Sequence, residues 1–309
     1  MELTFTESEK LQISEKIIEG FKRSGFASQA RYARSIGLDK ADISNLKGKK
    51  WQTSPQLIGA QKWVRMARAS GFVKNEEQKW TTAETKVKRF VDRQLTICKQ
   101  LGFTSILVDE AGIGKTYACR EFATHTPSVF YLDCSNYRTR TRFIEAIARV
   151  VGIQPSGRYD DILADSIYSL SMIDSPLVIL DEAGDLEDKA MMEFRRMYNS
   201  LEGRCGFYLV GSDGLKARIE RGLRLKKAGY KEVFSRFGKN FSRIMPLQLQ
   251  DQVQEYREMG EEILKINGIT EKGEIAEILT KLNNNGVKDL RTINREVRKY
   301  RYMKGGSNE

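Results

Sequence analysis

The feature that most constrains this chain is a glycine-rich hexapeptide, AGIGKT at 111–116, set between the apolar run ILV at 106–108 and a helix-spaced segment beginning at Lys115. A strand running into a glycine turn and then a helix forms a nest of inward-facing backbone N–H groups, the geometry that holds phosphate oxygens at a helix N-terminus. Gly112, Ile113, Gly114, Lys115, Thr116 and Tyr117 are therefore the expected nucleotide contacts, with ATP and Mg2+ as ligands. Lys115 is expected to neutralise the β and γ phosphates, and the Thr116 hydroxyl to hold magnesium. One position departs from G-x-x-x-x-G-K-[ST]: the first glycine is replaced by Asp109, and Glu110 follows, so two acids flank a loop that receives polyphosphate. Aspartate tolerates left-handed backbone better than most residues, so the expectation is a preserved turn with lowered nucleotide affinity.

About sixty residues downstream, PLVILDEAGDL supplies four apolar residues and then Asp181 and Glu182, at the C-terminal end of a strand, where ligands of parallel sheets gather. Asp181 is expected to serve magnesium and Glu182 to polarise the attacking water as general base. A third strand, GFYLVGSDG, ends at Ser212, the candidate sensor of the γ-phosphate; a simple strand-capping serine is the bland alternative. Strands at TSILVDE, SVFYLDC, PLVILDE and GFYLVGS alternate with helical patterns, which implies an α/β fold with a parallel sheet covered on both faces. Beyond Pro246 the strand patterns stop, and helical spacing at 250–266, 273–283 and 288–303 predicts a small all-helical lid.

Charge adds a second constraint. Lys and Arg number 52 against 41 Asp and Glu, a formal charge of +11 and a pI near 9.4, which suits a polyanionic partner. The first 75 residues hold fourteen Lys/Arg and seven Asp/Glu, so +7 of that excess lies in the first quarter of the chain. There, helical spacing broken at Gly25, Gly37 and Gly48 predicts four or five short helices. Within them, SQARYARSIGLDKADISNLKGKK reads as helix, turn, helix, the second helix opened by Asp39 with Asp42 three residues on. Its expected outward positions are Lys40, Ala41, Asp42, Ser44 and Asn45, and Lys40, Ser44 and Asn45 are the candidate DNA contacts; Asp42 sits awkwardly among them, because a carboxylate repels the phosphate lattice. A helical domain that docks protein is the alternative.

The expected division is a helix-turn-helix domain at 1–73, a polar linker at 74–86, an ATPase core at 87–246, a lid at 247–305 and a disordered tail at 306–309. The four cysteines, Cys98, Cys119, Cys134 and Cys205, lack C-x-x-C spacing and His125 stands alone, so neither a zinc site nor a disulfide framework is expected. No signal-peptide pattern opens the chain and no apolar run reaches membrane-span length, which predicts a cytoplasmic location.

In order, the chain offers a phosphate loop, a D-E strand, a sensor strand, VFSRF at 233–237 and GVKDLRTINREVRKY in the lid. This order resembles AAA+ ATPases, and within them the phage Mu B family of transposition target-selection ATPases, which join an N-terminal helix-turn-helix domain to the AAA+ module and carry similar DEA, FSR and LR segments. The resemblance spans nearly the whole chain. It implies a protein that binds ATP, polymerises on double-stranded DNA with little sequence preference, and presents that DNA to a cognate transposase. By position it implies Arg236 of FSRF as the arginine finger reaching a neighbouring subunit, and Arg291 of DLRTINRE as the lid's second sensor. Arg243 in FSRIMP is the rival finger, and a surface ion pair is the plain alternative for Arg236.

Positive charge within the core points to NYRTRTR, where Arg138, Arg140 and Arg142 alternate at a helix start and are the candidate phosphate-tracking residues of a filament channel. A second basic run, from Lys216 to Lys227, reads equally as a solvated helical face. Two other functions fit the same residues: a replication-initiation or helicase-loading ATPase, and a helix-turn-helix transcriptional regulator whose altered loop senses nucleotide without working as a motor.

Overall fold

The computed structural model describes residues 5–26, 28–72, 80–284 and 289–305. The expected tail at 306–309, residues 74–79 of the expected linker and residue 288 at the start of the last lid pattern lie outside the described residues, as do 1–4, 27, 73 and 285–287.

The N-terminal part is all helical: α1 (Glu7–Arg23), α2 (Gln29–Ser35), α3 (Lys40–Lys47), α4 (Lys50–Thr53) and α5 (Ala60–Ala69). Thr6 and Glu9 close a capping box that starts α1, the Glu9 carboxylate accepting from the Thr6 N–H at 2.7 Å. Ser28 caps α2 by accepting from the Arg31 N–H. Between α2 and α3 the chain turns at Gly37 (φ +73°), a left-handed conformation in which a side chain would be strained. One stripe from each helix meets in a common core: Ile13, Ile17, Ala33, Ile43, Leu46, Met66, and Trp51 packed edge-on against Trp63 at 5.2 Å.

Asp42 does not face outward as the helical reading placed it. It is 1% exposed, its Oδ2 accepts from the Asp39 N–H at 3.0 Å, and its Oδ1 takes the Lys62 ammonium of α5 at 2.8 Å. The capping geometry at the start of α3 turns this carboxylate inward, so the awkward charge is removed from the surface of α3, where Lys40 and Ser44 are exposed and Asn45 is half-buried.

The central layer begins with α6 (Lys86–Leu101) and holds four parallel strands, β1 (Thr104–Val108), β2 (Val129–Asp133), β3 (Leu177–Asp181) and β4 (Gly206–Gly211), in the order β1-β4-β3-β2. Register pairs Val108 with Gly211 and Asp133 with Asp181, so all four strands end on one side of the sheet. β3 and β4 are buried along their whole length, as expected for central strands covered on both faces. Alternate side chains divide the core in two. Leu107, Ile179, Tyr208 and Val210 pack against α6 and α7 (Lys115–His125). Ile106, Val178, Leu180 and Leu209 share the other cluster with residues of α8 (Arg140–Val150), α9 (Tyr159–Ser171), α10 (Asp188–Leu201), α11 (Asp213–Arg224) and α12 (Tyr230–Arg236). A parallel bridge from Ser242 to Leu107 places the chain leaving α12 beside the outer edge of β1.

The lid consists of α13 (Leu249–Ile266), α14 (Lys272–Asn284) and α15 (Leu290–Gly305), packed through Ile263, Leu264, Ile269, Ile275, Leu279, Ile293 and Val297. Gly260 allows this closeness, because a Cβ there would lie 2.8 Å from Leu279. Ala83 and Trp80, from the stretch expected as linker, belong to the same cluster, and Asn267 holds that stretch by donating to the Thr81 carbonyl and accepting from its N–H, each at 3.0 Å. The N-terminal domain contacts the sheet's opposite edge: Phe26 meets Phe130 of β2 at 5.8 Å, and the Ser128 N–H donates to the Ser24 carbonyl.

Candidate nucleotide site

The C-terminal ends of β1, β3 and β4 converge on a cleft of about 870 Å3 between the sheet and the lid. A cleft of that volume is within the range of small-molecule sites. Gly112, Ile113, Gly114, Lys115, Thr116 and Tyr117 line it from the loop, Asp181 and Glu182 from β3, Ser212 from β4 and Arg291 from the lid. Every expected nucleotide residue except Arg236 is thus brought to one cavity from four separated segments.

Gly112 and Gly114 have φ of +78° and +97°, the left-handed conformations that turn successive N–H groups inward at the start of α7. Lys115 is 8% exposed and its Nζ donates to the carbonyls of Asp109 and Glu110 at 2.8 and 2.6 Å. Burial lowers its pKa, opposed by the charges of Asp109, Glu182 and Asp181.

The Asp109 carboxylate points away from the cleft. Its Oδ2 accepts from the N–H groups of Ile244 and Met245 at 2.5 and 2.9 Å, its Oδ1 accepts from the Glu110 N–H at 2.8 Å, and it is 1% exposed. Arg243 completes the arrangement, 3.8 Å from Asp109 and 3.1 Å from Glu110. The two acids that sequence placed against the phosphates are instead held by one arginine of their own chain. Asp109 ties the loop to the segment beside β1, and the conformation that favours glycine is not used there.

Asp181 is 1% exposed, and Glu182 follows it in a left-handed conformation (φ +50°), unusual for a non-glycine residue and of a kind found at functional sites. Burial, then the neighbouring charge of Asp181, raises the Glu182 pKa. Ser212 is half-buried at the start of α11 and its hydroxyl does not cap that helix.

Several contributors escaped the sequence reading. Trp80, Ala83, Thr85 and Lys88 also line the cleft, and Trp80 and Ala83 with Ile113, Ile263 and Leu290 make part of its wall apolar. A lone tryptophan in a polar stretch was the available signal. Arg295, Arg298 and Asn294 join Arg291 on one face of α15, a set visible as i, i+4, i+7 spacing in RTINREVR. Arg120 lies one turn beyond Thr116 on α7 and also lines the cleft, with Asp133 and Ser135.

Arg236 lies elsewhere, on α12. Its guanidinium donates to Asn199 at 3.2 Å, approaches Glu202 at 3.9 Å and lies 5.3 Å from the Tyr198 ring. Of the basic candidates on the core, Arg140 is the most engaged: its Nε donates to Glu193 at 2.7 Å and its guanidinium stacks 4.2 Å over Tyr159. Arg138 donates to the Asp185 carbonyl at 3.3 Å, and both Arg138 and Arg142 are exposed. In the second basic run Lys227 pairs with Asp188 at 2.6 Å and Lys216 lies 3.9 Å from Glu220, which fits a solvated, ion-paired face.

Residues 104–219 match the family described as AAA domain. A curated relative, the Mu-like prophage FluMu DNA transposition protein B of Haemophilus influenzae, is 28% identical over 263 residues, spanning 82% of this chain and 89% of that protein. A solved structure described as a DNA replication initiation factor aligns at a TM-score of 0.45 and 17% identity, over 75% of this chain and 66% of the other, just under two thirds of its length; a likeness at that level carries no further weight. With a glycine loop between β1 and α7, acids at the end of β3 and a three-helix lid over the cleft, the chain is an α/β protein with a parallel sheet, preceded by an all-α region; residues 104–219 are similar to the AAA domain, and the chain resembles the phage Mu B family of transposition ATPases.

Proposed function

We propose that the chain is an ATPase that uses bound ATP to assemble on double-stranded DNA and to present that DNA to a cognate transposase. One observation carries this reading: a single cleft gathers Lys115, Thr116, Asp181, Glu182, Ser212 and Arg291, whereas Arg236 does not line it and contacts Asn199 on α10. A site complete in all but one cation is a site that a neighbouring copy can complete.

In this reading the loop N–H groups and Lys115 bind the β and γ phosphates, and Trp80, Ala83, Ile263 and Leu290 take the base at the apolar part of the wall. Thr116 and Asp181 offer the oxygen ligands that suit magnesium, which when bound neutralises the developing phosphate charge. Glu182, with its raised affinity for a proton, accepts from the attacking water; Ser212 and Arg291 contact the γ-phosphate. Arg236 supplies transition-state charge across a subunit contact, an effect worth about three to five decades in rate, or about 4–7 kcal/mol. Arg243 is less suited to that role because its own chain's Asp109 and Glu110 hold it.

DNA contact is assigned to Arg138, Arg140 and Arg142 on the core and to Lys40, Ser44 and Asn45 on α3. These groups reach phosphates and carry little base discrimination. With Arg140 tied to Glu193, Arg142 bears most of the core's contribution. The relative named as a DNA transposition protein supports transposition as the process served. Footprinting with and without ATP tests the proposal: long, sequence-indifferent protection that requires ATP is expected, and an operator-sized protected site unaffected by ATP would instead mark a transcriptional regulator.

A further inference from the structure

Behind the magnesium-facing acid lies a hydrogen-bonded chain that the phosphate-binding residues do not account for. Tyr131 sits in β2 on the strand pair that aligns it with Ile179 and aligns Asp133 with Asp181. Its hydroxyl lies 2.6 Å from Asp181 Oδ2 and 3.0 Å from Arg120 Nε. Arginine has no acceptor, so Arg120 donates to the phenol oxygen, and the one phenol proton is left for the carboxylate. The direction of both bonds is therefore fixed by chemistry. Asp181 Oδ1 accepts from the Glu182 N–H at 3.1 Å, so each carboxylate oxygen carries one donor and the plane of the group is set. Arg120 is itself held from two sides, 5.1 Å over the Tyr131 ring and 3.4 Å from Asp133 Oδ2, while it lines the same cleft.

Resting on the ATP and magnesium reading above, we infer that Tyr131, backed by Arg120, is a positioning residue that orients the Asp181 carboxylate toward the metal side of the cleft. β2, which contributes no residue to the phosphate loop, thereby sets how strongly magnesium acts on the bound nucleotide. A residue that orients a metal-facing ligand through a hydrogen bond affects metal dependence more than nucleotide contact.

The test uses the full chain, a fluorescent ATP analogue and Tyr131→Phe, which removes the hydroxyl and keeps the ring beneath Arg120. Titration in excess chelator reads nucleotide binding alone; titration with rising magnesium reads the coupling. Tyr131→Phe is expected to match the unaltered chain in chelator within about twofold, and to raise the half-saturating magnesium concentration about tenfold. Arg120→Gln shifts the same midpoint in the same direction, and the double variant shifts it by less than the two effects combined, because both act through one proton. An unchanged magnesium midpoint in Tyr131→Phe overturns the inference, as does an equal loss of affinity with and without magnesium, which marks a merely structural hydroxyl. No analogue uptake by the unaltered chain under either condition overturns the nucleotide reading itself, and the inference with it.

Discussion

Asp109 shows how a motif position can change its task without breaking the site. A glycine there is expected for its backbone freedom, yet this aspartate works through its side chain, accepting from Ile244, Met245 and Glu110 N–H groups and pairing with Arg243. Restoring the usual glycine, Asp109→Gly, leaves those donors without their acceptor and Arg243 held only by Glu110 and the Met245 carbonyl. The expected loss is about 3–5 kcal/mol, read as a fall in Tm of about 10 °C, although the motif is nominally improved. A variant as stable as the parent would contradict the strut. Glu182 gives the second residue-scale case. Its folded-state pKa is raised, so the stability it contributes is present below the unfolded pKa and lost as pH rises through the folded one. Glu182→Gln is therefore expected to melt about 1–3 °C higher than the parent near neutral pH, with the gap closing in acid, while hydrolysis is lost. In the parent, hydrolysis falls with acidification at a pH above the ordinary glutamate range. Equal melting curves at neutral pH would show that Glu182 is not held at a cost. Neither effect is legible in sequence, since each depends on what a neighbouring segment brings within hydrogen-bond reach.

At the scale of elements, period and punctuation carried most of the reading. The phosphate loop, the strand ending in Asp181, the strand just before Ser212 and the three lid helices follow from alternation and spacing, and the structure places them together. What sequence missed were side chains whose roles come from tertiary neighbours: Asp42, turned inward by its cap and Lys62, and the polar stretch from Trp80 to Thr85, held by Asn267 onto the lid. α9, which lies between β2 and β3, was also passed over, because YDDILADSIYSLS mixes polar residues into its apolar stripe. The lid's grip on the phosphate loop is a close backbone approach. The Leu290 N–H donates to the Gly112 carbonyl at 2.9 Å, and a Cβ on Gly112 would lie 2.6 Å from the Asp289 carboxyl. Gly112→Ala, strained at φ +78° as well, is expected to push the start of α15 off the loop and weaken ATP binding at least about tenfold. Faster hydrogen exchange in α15 reports the same displacement; unaltered exchange with unaltered affinity would remove this contact from the site.

Across the whole molecule, the nucleotide cleft opens between sheet and lid, while the N-terminal helices pack through Phe26 and Arg31 against the β2 edge and the helices beside it. The same strand β2 carries Tyr131, whose hydroxyl reaches Asp181 of β3, and Asp133, which lines the cleft, so the helical domain and the cleft are joined through one strand. In the proposed function, the positive charge concentrated at the N-terminal end and the exposed Arg138 and Arg142 on the core are the two surfaces offered to DNA. The central claim is that a triphosphate held at Lys115 and Thr116 joins copies of this chain along a duplex. Sedimentation velocity of the full chain with a long duplex, with and without ATP and magnesium, measures it directly. The account predicts a fast-sedimenting complex that forms with ATP, dissolves in excess chelator and is absent for Lys115→Ala. Identical boundaries whatever the nucleotide, or a Lys115→Ala protein that loads the duplex as fully as the parent, would contradict it.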